Sequence, residues 1–178
     1  MSRDDKRIQA VKELIEYCPD FPKPGILFQN LFPVLRNAEV FKGLIDVLVE
    51  DIRSRCPGVE VIVGLDSRGF LFGPMVAVAL GVAFVPVRKK GKLPGETFAV
   101  EYTLEYGTDR CEVQKNSIQA GQKVVIVDDL LATGGTMDAA CRLMEAAGAE
   151  VLSCLVIIEI PVLKGRDKIK YPIISYIS

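Results

Sequence analysis

The sequence predicts an α/β fold, a doubly wound and mainly parallel sheet flanked by helices. Three observations carry this. Val61-Ile62-Val63-Gly64-Leu65, Val124-Val125-Ile126-Val127 and the run Val151 to Ile160 are apolar, largely β-branched and without alternation. Such runs suit strands buried on both faces. The order strand, small polar loop, helix occurs after Leu65 and again after Val127, as in successive βαβ units. Finally, Asp128-Asp129 followed by Ala132-Thr133-Gly134-Gly135-Thr136 stands where a buried strand should end and a helix begin. Open α/β sheets bind their ligands outside such strand ends.

In chain order, residues from about Arg3 to Tyr17 read as a helix with Ile8, Val11, Leu14 and Ile15 on one stripe. Three prolines between Cys18 and Gly25 stop it. Ile26-Leu27-Phe28 is a short extended piece, and Pro33 is expected to end the next one. The segment Phe21 to Phe28 reads equally as a rigid connection or as aromatics closing over a flat ligand. Ala38 to Arg55 is an amphipathic helix, and Gly58 marks its exit. After the strand at Val61, a helix runs from about Phe70 to Leu80. Phe84-Val85-Pro86-Val87 is a strand in which Pro86 disfavours a central position. Thr97 to Lys115 alternates like an antiparallel ribbon, with its turn at Gly107-Thr108-Asp109. Gln119 to Gln122 is a second turn. Met137, Ala140, Cys141, Met144 and Ala147 share one helix face, and Gly148 closes that helix. Lys164 to Lys170 reads as charged surface, and Ile173 to Ile177 as an edge strand.

With 178 residues the chain is long enough for one domain with a core. A formal net charge of −1 gives no reason to expect a nucleic-acid partner. No apolar run is long enough to span a bilayer, and the charged start Met1 to Arg7 is not a secretory signal. Five cysteines without C-x-x-C spacing fit a reducing, cytoplasmic compartment. Cys141 and Cys154 read as core; Cys18, Cys56 and Cys111 carry no assignment. There is no histidine. That excludes Ser-His-Asp catalysis and histidine zinc sites, and leaves carboxylates, Lys, Arg, Tyr, backbone amides or an oxygen-held metal.

Two adjacent carboxylates repel, so Asp128 and Asp129 call for something positive or hydroxyl-rich beside them. The glycines after them let a backbone approach closely, the threonines add hydroxyl donors, and a helix N-terminus presents free N–H groups to an anion. The stretch therefore reads as an acid pair beside a phosphate cradle, with a simple strand, turn and capped helix as the plain alternative. It is neither a Walker loop, having no Lys after the glycines, nor a G-x-G-x-x-G fingerprint. Asp66 and Ser67 suit either a helix cap or a ligand loop, whereas Arg68 at a strand end suits an anion. Arg88, Lys89, Lys90 and Lys92 suit either a solvated loop or a polyanion.

The acid pair and its loop resemble the signature of type I phosphoribosyltransferases. Over essentially its whole length the chain is similar to the adenine phosphoribosyltransferase family. The residues that carry this are Phe21-Pro22-x-Pro24-Gly25-Ile26-x-Phe28, Gly64 to Phe70, Arg88-Lys89-x-Gly91-Lys92-Leu93-Pro94-Gly95 and Tyr102-x-Leu104-Glu105-Tyr106-Gly107, together with the acid pair. The resemblance implies transfer of the phosphoribosyl group of phosphoribosyl pyrophosphate (PRPP) to adenine, giving AMP and pyrophosphate in purine salvage. It implies Mg²⁺ carried by PRPP, with no protein ligand assigned, and a homodimer through the cationic loop. It further implies an N-terminal hood (about residues 1–33), an antiparallel flexible lid (about 95–109) and a cis peptide between Asp66 and Ser67. In this reading Glu105, Asp128 and Asp129 are catalytic, and Ala132, Thr133, Gly134, Gly135 and Thr136 hold the 5-phosphate. Asp66, Ser67, Arg68, Arg88, Lys89, Lys92 and Tyr106 serve the pyrophosphate, and Leu27, Phe28, Gln29 and Leu130 hold adenine. Gln29-Asn30 departs from the family's usual Arg-Asp. Main-chain base contacts would survive that change, and contacts through the arginine would not. The alternatives are transfer to another purine such as hypoxanthine, or a nucleotide-binding regulator of low activity.

Overall fold

The computed structural model describes residues 5–21, 23–104 and 107–178. The chain divides into an N-terminal unit, Met1–Asp51, and a larger unit, Ile52–Ser178.

In the N-terminal unit, α1 covers Lys6–Leu14, with Asp5 as its side-chain cap. It is shorter than the helix expected to Tyr17, because Glu16–Pro19 (β1) leaves to pair antiparallel with Leu27–Asn30 (β2). A local pattern cannot show that partner. Phe32–Arg36 forms a short helix, α2, where the sequence suggested an extended piece. Pro33 lies in its first turn, where no intrahelical N–H is needed. α3 begins at Ala38 and ends at Arg55, as expected.

The larger unit is built on a seven-stranded sheet of order β5-β6-β4-β3-β7-β8-β9. Its strands are β3 (Val61–Leu65), β4 (Ala83–Lys89), β5 (Thr97–Leu104), β6 (Gly107–Gln114), β7 (Lys123–Leu131), β8 (Glu150–Glu159) and β9 (Ile173–Ile177). β4, β3, β7, β8 and β9 run parallel. β5 and β6 form an antiparallel ribbon joined to β4 through Arg88 and Lys89 alone, so the outer side of Pro86 carries no ladder. β6 starts at Gly107, so residues 107–109, expected as a turn, pair as strand with 102–104.

Val61, Val63, Val124 and Ile126 point to one face, where they are buried with Met137, Ala140, Cys141 and Met144 of α5 (Gly135–Ala146). The next residues along point the other way. There Phe84 approaches Gly64 and Gly73, and an added Cβ would lie 2.7 and 2.6 Å from its ring. That close approach seats α4 (Gly73–Leu80) on the second face, which gives the doubly wound arrangement. The helix expected from Phe70 is in fact a 3-10 turn at Arg68–Leu71 followed by α4. β9 is an edge strand. None of the five cysteines is in a disulfide; Cys56, Cys111, Cys141 and Cys154 are buried, and Cys18 is partly so.

Candidate active site

The carboxyl ends of β3 and β7 lie side by side, since Val61 to Gly64 run in register with Val124 to Val127. The loop after β3 therefore meets the loop after β7. Gly69 makes this possible: an added Cβ there would lie 2.5 Å from the Val127 carbonyl oxygen. The Asp66–Ser67 peptide bond is cis, as the resemblance implies. Ser67 makes no side-chain cap, so the capping alternative drops out.

These loops border a cleft of about 380 Å³. Asp66, Ser67, Arg68, Lys89, Asp128, Asp129, Leu130 and the run Ala132 to Thr136 line it. The cleft thus brings together the acid pair and most of the residues expected to serve the phosphate and the pyrophosphate. Arg88 and Lys92 do not line the cleft. Arg88 Nε instead lies 3.0 Å from Asp66 Oδ2, with its guanidinium 5.9 Å from the Phe70 ring centroid. Leu27, Phe28 and Gln29 lie on β2 in the N-terminal unit. There Phe28 packs edge-on against Phe21, and Leu27 is exposed. The Gln29 side-chain oxygen is buried without a hydrogen-bond partner among the described residues. Asn30 accepts from the Phe32 N–H and donates to Glu16, so its side chain serves the local turn. Glu105 and Tyr106 fall outside the described residues.

The acid pair has the positive neighbour it calls for. Arg68 Nε lies 2.5 Å from Asp129 Oδ2, and Asp129 is only 6% exposed. Asp128 Oδ1 accepts from the Asp129 N–H at 2.9 Å. Removal from water, and then the charge of Asp129, push the Asp128 carboxyl well above the usual carboxylate range. Lys89 Nζ lies 3.3 Å from Asp109 Oδ2. The backbone N–H of Arg110, and then Lys89, hold the Asp109 carboxyl below its ordinary range.

Gly134 adopts φ +81° at the N-cap of α5 and offers no side-chain cap, so the start of α5 faces the cleft with backbone N–H groups. Tyr102 and Asp109 also line the cleft, and neither stood out in the sequence as a site residue. The Tyr102 hydroxyl donates to Asp109 Oδ2 at 3.2 Å, and burial and then Asp109 push its pKa up to about 12. Alternation on the ribbon places Tyr102 correctly, but only the tertiary structure shows what it meets. Glu112, buried on β6, accepts from the Gly91 N–H at 3.1 Å and so fixes the cationic loop.

Taken together, the cleft offers a site for an anion at a helix start, cations for a second anion, and an acid pair of which Asp129 is buried and Asp128 half-buried. Its donors are oxygens, which suit a hard cation such as Mg²⁺. Among the described residues no group of three or more His, Cys, Asp or Glu side chains could hold a metal. The carboxylates that line the cleft are Asp66, Asp109, Asp128 and Asp129.

Comparison with known proteins points the same way. The family model described as "Phosphoribosyl transferase domain" matches residues 34–177. Adenine phosphoribosyltransferase 3 of Arabidopsis thaliana is 50% identical over 167 residues, covering 94% of this chain and 90% of that protein. The crystal structure of a Saccharomyces cerevisiae adenine phosphoribosyltransferase, complexed with an imino-altritol bisphosphate and adenine, superposes with a TM-score of 0.94. It is 47% identical, and the match covers 96% of this chain and 98% of that one. A Trypanosoma brucei adenine phosphoribosyltransferase in complex with AMP, pyrophosphate and ribose-5-phosphate gives 0.90 at 30% identity, covering 99% of this chain and 81% of that one. This chain belongs to the phosphoribosyltransferase family, in its adenine phosphoribosyltransferase branch.

Proposed function

We propose that this chain transfers the 5-phosphoribosyl group of PRPP to adenine, forming AMP and releasing pyrophosphate in purine salvage. The observation that carries the reading is the cleft itself, in which the Asp128–Asp129 pair, the start of α5 and the cations Arg68 and Lys89 line one pocket. In the reaction the bond from the anomeric carbon to pyrophosphate breaks and its electron pair leaves with pyrophosphate. Adenine N9 bonds to that carbon and gives up a proton. Positive charge gathers on the ribose ring as this happens. Asp128 and Asp129 hold the ribose hydroxyls and stabilise that charge. The backbone of Ala132 to Gly135 and the hydroxyls of Thr133 and Thr136 hold the 5-phosphate. Arg68 and Lys89, together with the Asp66–Ser67 loop, receive the pyrophosphate, assisted by Arg88, Lys92 and Tyr106. Mg²⁺ carried by PRPP would supply positive charge to offset that of the departing pyrophosphate. Leu130, which lines the cleft, contacts adenine. The segment 95–109 acts as a lid that excludes water, and Glu105 within it manages the adenine proton.

Assays of adenine and of hypoxanthine with PRPP and Mg²⁺ test the reading. AMP formation with adenine and little product with hypoxanthine are expected. Faster turnover of hypoxanthine would make the chain another purine transferase, and AMP binding without turnover would make it a regulator.

The pH dependence follows from Asp128. Its raised carboxyl must be ionised to face a developing cation, so kcat/KM for PRPP, which reports the free enzyme, should fall as pH drops through that raised value. Asp128→Asn should remove this limb or carry it to lower pH. An unchanged limb in the variant would assign it elsewhere.

We also propose a homodimer in a reducing, cytoplasmic compartment. The free thiols support the compartment, and no helix among the described residues is long and apolar enough to cross a membrane. Leu71 at the end of the 3-10 turn and Met75 and Val78 on α4, the last 82% exposed, are exposed apolar side chains and support the dimer alongside the cationic loop. Light scattering at micromolar concentration should give about twice the 19.5 kDa chain mass, and Val78→Asp should lower it. An active parent monomer would end the idea.

A further inference from the structure

The segment Lys164 to Lys170, read in the sequence as charged surface, contains one buried residue, Gly165. Gly165 lies directly against the phosphate loop. An added Cβ would be 2.9 Å from the Gly134 nitrogen and 3.0 Å from the Ala132 carbonyl carbon, and closer still to the Ala132 oxygen. The contact is mutual: an added Cβ on Gly134 would be 3.1 Å from the Gly165 carbonyl carbon. Two backbones thus pack with no side chain between them.

The turn is fixed from the sheet side. Glu159 stands in register with Leu131, the last residue before the phosphate loop, and the Ile160 N–H donates to the Leu131 carbonyl at 2.9 Å. Arg166 grips Glu159 through both carboxylate oxygens, donates to the Ile173 carbonyl at 3.0 Å and reaches Ser175 Oγ at 3.0 Å. Only a planar, forked cation can make this set at once. Lys164, the residue before, adopts φ +52°, which turns the chain back beneath the loop.

From this geometry we infer that Gly165 and Arg166 are positioning residues for the phosphate loop. Gly165 forms the floor on which Ala132 to Gly134 rest, and Arg166 locks that floor to β8 and β9. Neither residue touches the substrate. They set the height and aim of the N–H groups that receive the 5-phosphate. This rests on the proposed phosphoribosyl chemistry only for the identity of the anion.

Full-length Gly165→Ala, Arg166→Met and Arg166→Lys test it, by steady-state kinetics and by calorimetric titration with AMP. Gly165 has an ordinary φ, so the added methyl acts through its push on the loop. The KM for PRPP and the Kd for AMP should rise about 10–100-fold, the loss that goes with a displaced hydrogen bond to a charged group. The KM for adenine and kcat at saturating PRPP should change little. Arg166→Met should show the same split, and Arg166→Lys, which keeps the charge but not the fork, should fall between. An unchanged PRPP KM in Gly165→Ala overturns the inference. So does an Arg166→Met variant that melts earlier with its PRPP KM intact, which would make Arg166 a strand staple. If Gly165→Ala does not fold, the Arg166 pair decides. A parent that binds AMP but turns nothing over would remove the proposed reaction and leave this inference standing, because AMP affinity still reads the loop.

Discussion

Asp128→Asn and Asp129→Asn are each expected to lower turnover by roughly 10²–10³, the usual cost of removing one group that faces charge developing in a transition state. AMP binding should weaken far less. The reason lies in when the charge exists. In AMP the ribose ring is neutral, and an amide can still accept or donate at a hydroxyl; in the transition state the ring is cationic, and only a carboxylate opposes that. Asparagine keeps the shape, so the Asp128 contact to the Asp129 N–H can persist. Asp129→Asn also removes the negative charge that Arg68 Nε faces at 2.5 Å. Tighter pyrophosphate binding with slower chemistry would be the signature of that variant. Equal losses in turnover and AMP affinity would instead make the pair a plain ribose clamp.

What was legible in the sequence, and what was not, divides along the range of the interactions. Val61 to Leu65, Val124 to Val127 and Val151 to Ile158 announced themselves because strands covered on both faces need apolar residues at every position. Ala38 to Arg55 was bounded correctly because its helical period runs unbroken over five turns. The acid pair and the glycine loop were legible because like charges and close backbone approaches both need special residues. The misses depend on partners elsewhere in the chain. Glu16–Pro19 would continue a helix on local pattern, and becomes a strand because Leu27–Asn30 pairs with it. Pro33 reads as a breaker until the structure places it in a first helical turn. Gly165 reads as one more residue in a charged run, and only the return of the chain beneath Ala132 gives it a role. Tyr102 and Asp109 look like ribbon residues until the ribbon folds over the start of α5. Arg68 was expected to meet a ligand anion, and in the structure it meets Asp129.

Glu105→Leu is expected to show the largest loss in a single variant, about 10²–10⁴ in turnover, the range of general acid–base help. The expectation comes from the Leu104-Glu105-Tyr106-Gly107 run and its place in the ribbon, between Leu104 at the end of β5 and Gly107 at the start of β6. Adenine attacks through N9 and must shed a proton, and with no histidine anywhere in the chain a carboxylate is the natural acceptor near neutral pH. The pairing of Thr97–Leu104 with Gly107–Gln114 holds on either side of Glu105, so the fold should not depend on its side chain. Stability should then stay within about ±0.5 kcal/mol, as for most changes away from special features, and melting temperatures should match the parent. Glu105→Gln separates two roles. It keeps the shape and one acceptor oxygen but cannot take the proton, so slow turnover in both variants means proton transfer, whereas an active Gln beside an inactive Leu means a hydrogen bond that orients the base. Leu should leave AMP affinity largely intact in either case, because AMP carries no N9 proton to accept. Parent-like turnover of Glu105→Leu, measured with adenine and PRPP both saturating, would remove Glu105 from the chemistry and leave the proton to solvent.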